Sequence, residues 1–130
     1  MKRVLLCAIA AASLALPATA SADVQQLDPG HRISVSFGHC RVYYEHGYNF
    51  GAYAKTKQIS GTCDWGTRVQ VYSPNATTQP CPLFGASIDQ RCSKSNGWAL
   101  SFLQGQPLQA SALRLCDPRG CMANPRLYVP

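Results

Sequence analysis

The chain has little that marks an enzyme. It carries no G-x-S-x-G nucleophile elbow and no glycine loop built to cradle a phosphate. Charge is sparse as well: Asp, Glu, Lys and Arg make up 14% of the residues, and only six are acidic. The basic residues are scattered from Arg32 to Arg126 without a run, which argues against a phosphate-tracking stripe and a nucleic-acid partner. No apolar stretch reaches the ~20 residues a membrane-spanning helix needs, so no membrane span is expected. His31, His39 and His46 stand seven or eight positions apart. Zinc sites take closely paired ligands such as C-x2-C or H-x3-H, so neither a metal nor another cofactor is expected.

What the chain does have is cysteine, seven in 130 residues. Cys7 lies in an N-terminal segment with the parts of a secretory signal: basic Lys2 and Arg3, an apolar run from Val4 to Leu16, Pro17, and the cleavage motif Ala20-Ser21-Ala22. Residues 1–22 therefore read as a signal peptide of bacterial style. The mature chain is expected to start near Asp23, as one domain over residues 23–130, in the periplasm or the medium. Cys7 sits too early in the run to be the acylated cysteine of a lipoprotein. Losing Lys2 and Arg3 leaves ten basic residues against six acidic, a net charge of about +4, which favours solubility.

The remaining cysteines form an even set: Cys40, Cys63, Cys81, Cys92, Cys116 and Cys121. In an exported domain this size they read as a disulfide framework. Two pairings compete. A local scheme joins Cys40–Cys63, Cys81–Cys92 and Cys116–Cys121. A duplicated-unit scheme, suggested by similar Cys40-to-Cys63 and Cys92-to-Cys116 spacings each followed by Asp, joins Cys40–Cys63, Cys92–Cys116 and Cys81–Cys121. Cys40–Cys63 is common to both.

Strand-like alternation runs along the mature chain: Ile33, Val35, Phe37; then Cys40, Val42, Tyr44; then Val69 and Val71; then Trp98, Leu100, Phe102 against Ala99, Ser101, Leu103; then Leu113, Leu115; then Leu127, Val129. A further strand is expected across Tyr48, Phe50 and Ala52, and a long cystine-tied loop over 73–95. A short helix over 107–115 is the alternative to a strand there. The expected fold class is all-β: a small disulfide-stabilised sandwich or barrel-like domain with antiparallel hairpins.

Three functional readings follow. Asp117-Pro118-Arg119-Gly120 has the residues of a type I turn, and Cys116 and Cys121 flank it. A clipped loop with Arg119 at its tip, after Pro118, suggests an inhibitor of a secreted protease or other hydrolase. Alternatively, Tyr43, Tyr44, Tyr48 and Trp65, with Phe50 and Tyr53, concentrate aromatic side chains suited to sugar rings and suggest an envelope-glycan module. A small hydrolase or nuclease using Glu45 and His46, with Arg41, is the third. Neighbours on a strand point to opposite faces, which separates that pair, so no catalytic residue is assigned. Asn75-Ala76-Thr77 matches a glycosylation sequon and implies an exposed loop.

Overall fold

Alternation of apolar and polar residues favours extended chain over helix, and a computed structural model bears this out. It describes residues 23–73, 76–77, 80–85, 92–103 and 108–130, and among them shows strands and no helix. The strands are β1 (Asp23–Gln26), β2 (Arg32–Phe37), β3 (Cys40–Tyr48), β4 (Ala52–Gln58), β5 (Arg68–Ser73) and β6 (Ala76–Thr77). They continue with β7 (Cys81–Pro82), β8 (Ser93–Ser95), β9 (Trp98–Phe102), β10 (Ser111–Asp117), β11 (Gly120–Cys121) and β12 (Arg126–Val129). With no helix among the described residues, none is long and apolar enough to cross a membrane.

Two sheets result. One runs β1-β12-β10-β5-β6, with β11 beside β10 and β7 beside β5; the other runs β2-β3-β4-β9-β8. Between them lies a shared core, with Val35, Val42 and Tyr44 from the five-stranded sheet meeting Val69, Val71, Leu113, Leu115 and Tyr128 from the other. Each fully buried valine or leucine contributes roughly 1.5–3 kcal/mol, so this sandwich interior dominates the fold's stability.

Two expectations change. The strand expected across Tyr48, Phe50 and Ala52 is a hairpin: Tyr48 ends β3, Ala52 opens β4 directly opposite it, and Asn49-Phe50-Gly51 is the loop. The chain reverses because Phe50 adopts a left-handed backbone, φ 63°. The helix considered for 107–115 gives way, over its described part, to β10. Leu113 and Leu115 pair there with Val71 and Val69, and tertiary pairing outweighs a short, poorly capped helix. The region expected as a long loop contributes the short strands β6, β7 and β8. Asn75 lies outside the described residues.

The disulfides follow the local scheme: Cys40–Cys63, Cys81–Cys92 and Cys116–Cys121. Cys116 and Cys121 face each other across the β10–β11 hairpin, as the turn residues between them imply. A framework of three disulfides fits an extracellular or periplasmic protein.

Candidate functional site

The strands β4 and β9 carry their large side chains outward. Their buried faces hold only small residues, Ala52, Ala54 and Thr56 on β4 and Ala99 and Ser101 on β9. The opposite faces hold Tyr53, Lys55 and Lys57, and Trp98, Leu100 and Phe102. In β9 the buried register is therefore the one with less apolar bulk, the reverse of the usual strand. Ala99 packs against the Cys81–Cys92 disulfide, and the aromatic side chains lie part-exposed on the opposite face.

Register then assembles the outer face in rows. Arg32 pairs with Glu45, Glu45 with Lys55, and Lys55 with Leu100. On one side of that row Tyr43 pairs with Lys57, and Trp98 pairs with Ser95. On the other side Gly47 pairs with Tyr53, and Tyr53 with Phe102. Residues of the β3–β4 loop and the β8–β9 turn border an open cavity of about 510 Å³ on this face. Phe50, Tyr53, Trp98 and Phe102 supply its aromatic lining, and Asn49 and Asn96 supply amides. That volume falls within the range of small-ligand sites.

Phe50 is the unusual member. Its side chain is 98% exposed, and its φ of 63° is a conformation that costs a non-glycine residue on the order of 1–2 kcal/mol. Nothing in the core uses this ring. Asn96 also has a positive φ, but Asn-Gly is a preferred pair for a two-residue hairpin turn.

Electrostatics centre on Trp98 and Glu45. The Arg32 guanidinium carbon lies 4.7 Å from the Trp98 ring centroid and 5.5 Å from that of Tyr43. Lys55 Nζ stands 4.8 Å and Lys57 Nζ 5.8 Å from Trp98. Beneath them the buried Glu45 carboxylate lies 3.6 Å from both Arg32 and Lys55. Tyr53 donates its hydroxyl to the same carboxylate at 2.8 Å. Burial, that hydrogen bond and the negative charge of Glu45 push the Tyr53 hydroxyl up to about 12.

Of the other residues singled out in the sequence, all but Tyr43 lie elsewhere. Tyr43 is on this face, but Tyr44 is completely buried, which removes it from any binding surface. Tyr48 is half-exposed at the end of β3, on the same side of the sheet as Tyr44. Trp65 is 76% exposed but stacks on Phe84, centroids 5.3 Å apart. Phe84 lines a second cavity of about 450 Å³ on the far side of the β8–β9 turn.

Arg119 follows Pro118 at the tip of the β10–β11 hairpin and is not free. Its guanidinium donates to Asp64 at 2.7 Å and to Asp117 at 3.0 Å. Asp117 also accepts the backbone N–H groups of Arg119 and Gly120. Burial works to raise the Asp117 carboxyl, and these bonds together with the Arg119 charge hold it below its usual value. Asp64 accepts from His39 as well, at 3.1 Å.

His46, considered in the sequence with Glu45 for a hydrolase or nuclease site, is fully buried. Its Nε2 donates to the Leu27 carbonyl at 2.5 Å, since a carbonyl can only accept. Nδ1 is then an acceptor and takes the Ser111 hydroxyl at 2.7 Å. Ser111 in turn accepts from Tyr44 at 2.7 Å. This resembles a serine–histidine pair, but Ser111 is itself fully buried and a substrate has no access to it. The chain of bonds joins β3 to β10 and braces the two sheets.

Sequence reasoning named Tyr43, Phe50 and Tyr53 but missed Trp98, Phe102 and the cations around them. The available signal was the strict small–large alternation of β4 and β9, with large residues in the register opposite the core. No known protein family, characterised protein or solved structure matches this chain.

Proposed function

We propose that this is an exported binding protein that holds an envelope glycan on the outer face of its five-stranded sheet. The observation that carries this reading is Phe50, wholly exposed in a left-handed conformation at the rim of an aromatic cavity. Local strain at an exposed apolar residue is a cost that contact with a ligand can offset. Sugar rings present flat C–H faces to aromatic rings and hydroxyl groups to amides and lysines. Phe50, Tyr53 and Phe102 suit the first, and Asn49, Asn96 and Lys55 the second.

The protease-inhibitor reading is less favoured. Arg119 could enter an acidic specificity pocket only after leaving two carboxylates, so the loop is preorganised with its arginine turned back on the protein.

Retention on insoluble peptidoglycan sacculi and on chitin tests the proposal. The parent protein is expected to bind at least one of them. Phe50→Ala and Trp98→Ala are each expected to weaken binding by about tenfold, or ~1.4 kcal/mol, with an unchanged unfolding transition for the wholly exposed Phe50. Absence of retention on both supports rejects the proposal.

A further inference from the structure

We infer that the bound glycan is acidic and places a carboxylate or phosphate among Arg32, Lys55 and Lys57 beside Trp98, an inference that rests on the glycan-binding reading of this face. The mature chain has ten basic residues once Lys2 and Arg3 are set aside, and three of them converge on a single indole ring. Their charged groups lie 4.7, 4.8 and 5.8 Å from its centroid. Cation–π attraction at an exposed site offsets only part of the repulsion between like charges held this close.

One carboxylate opposes them. Glu45 lies 3.6 Å from Arg32 and from Lys55, and it also accepts the Tyr53 hydroxyl. Lys57 has no carboxylate within ion-pair distance among the described residues. Three cations against one anion leave an excess of positive charge beside the aromatic cavity. An anionic substituent would complete that cluster, while its sugar ring lies against Tyr53 and Phe102.

The groove also continues. Ser95 and Asn96 line both cavities, and Lys57 lines the second. Gly97 lets Lys57 lie across the turn: a Cβ at that glycine would stand 3.3 Å from Lys57 Cε. Ser95 and Asn96 thus join the two cavities, with Lys55 on the first and Lys57 on the second, and the fitting ligand is an acidic chain rather than a single sugar.

The test compares binding of the mature protein to three preparations of sacculi. One is untreated. A second is stripped of phosphodiester-linked polymers with hydrofluoric acid. In the third, stripped sacculi have their carboxyl groups amidated with a neutral amine. Binding is expected to fall about fivefold or more at one of these steps: at stripping if the anion is phosphate, at amidation if it is carboxylate. Raising salt from about 0.05 to 0.5 M should weaken binding to untreated sacculi. Lys57→Gln should lower affinity about threefold, in keeping with one exposed charge, and should flatten the salt dependence.

Equal binding to all three preparations, still weakened by Phe50→Ala, overturns the acidic assignment and leaves glycan binding intact. No binding to any preparation overturns the acidic assignment, and if retention on chitin is absent too it overturns glycan binding as well.

Discussion

Gly47 makes room for Tyr53: a Cβ built on that glycine would stand 2.7 Å from the tyrosine hydroxyl oxygen and 2.9 Å from Cζ. The glycine is needed for space, and its backbone is not in the left-handed region. Gly47→Ala is therefore expected to push the Tyr53 ring off the sheet and break its bond to Glu45. Overpacking of this kind costs on the order of 1–3 kcal/mol. Chemical denaturation should show a loss in that range, and sacculus binding should weaken as the cavity wall moves. An unchanged midpoint with unchanged binding would mean that Tyr53 does not form the wall.

The buried brace between the sheets makes stability depend on pH. Burial holds His46 below its ordinary value of 6.5, with the Leu27 carbonyl pulling the other way. The unfolded chain takes up a proton near 6.5, and the folded chain does so only at lower pH. The contribution of neutral His46 is therefore complete above about 6.5 and is lost as pH falls toward the folded value. Urea midpoints measured from about pH 7.5 down to 5 should decline, and His46→Gln should flatten that decline.

Ser111 carries the same brace. Ser111→Ala removes the acceptor for Tyr44 and the donor to His46 Nδ1, leaving two buried polar groups unpaired. A cost of about 1–3 kcal/mol is expected, or a fall in Tm of about 4–8 °C for each kcal/mol in a domain of this size. A negligible shift in calorimetry would show that the chain of bonds does not brace the sheets.

The sandwich interior was legible wherever large apolar residues alternate with polar ones, as in Ile33, Val35, Phe37 and in Leu113, Leu115. The clipped hairpin was legible too, because its turn residues and flanking cysteines are local. In β9 both registers contain apolar residues, so periodicity could not say whether Trp98 or Ala99 faces inward. That choice is made by packing from elsewhere in the chain, where the Cys81–Cys92 disulfide covers Ala99. The partners that matter most are also remote in sequence: Ser111 is 65 positions from His46, and Asp64 is 55 from Arg119. No local pattern announces such pairs.

Arg119 separates the two binding readings. Its side chain is 67% exposed and pairs at the surface with the half-exposed Asp64. The buried Asp117 keeps the Arg119 and Gly120 N–H groups when the guanidinium is removed, so the surface pair is the main loss. Such pairs typically contribute ~0–1 kcal/mol, so Arg119→Ala should move Tm by only a few degrees. The parent protein is expected to leave trypsin-like proteases active at micromolar concentration, with no change in the variant. Stoichiometric inhibition that disappears in Arg119→Ala would restore the inhibitor reading.

Phe50 offers the sharpest trade between stability and binding. Asparagine tolerates the left-handed conformation far better than phenylalanine, and replacing a wholly exposed ring forfeits no core contact. Phe50→Asn should therefore leave Tm unchanged or raise it by a few degrees, while sacculus binding drops by about tenfold. A residue retained only for a turn would show the first effect without the second. A fall in Tm with binding intact would mean that the ring stabilises the fold and would remove the main support for the proposed site.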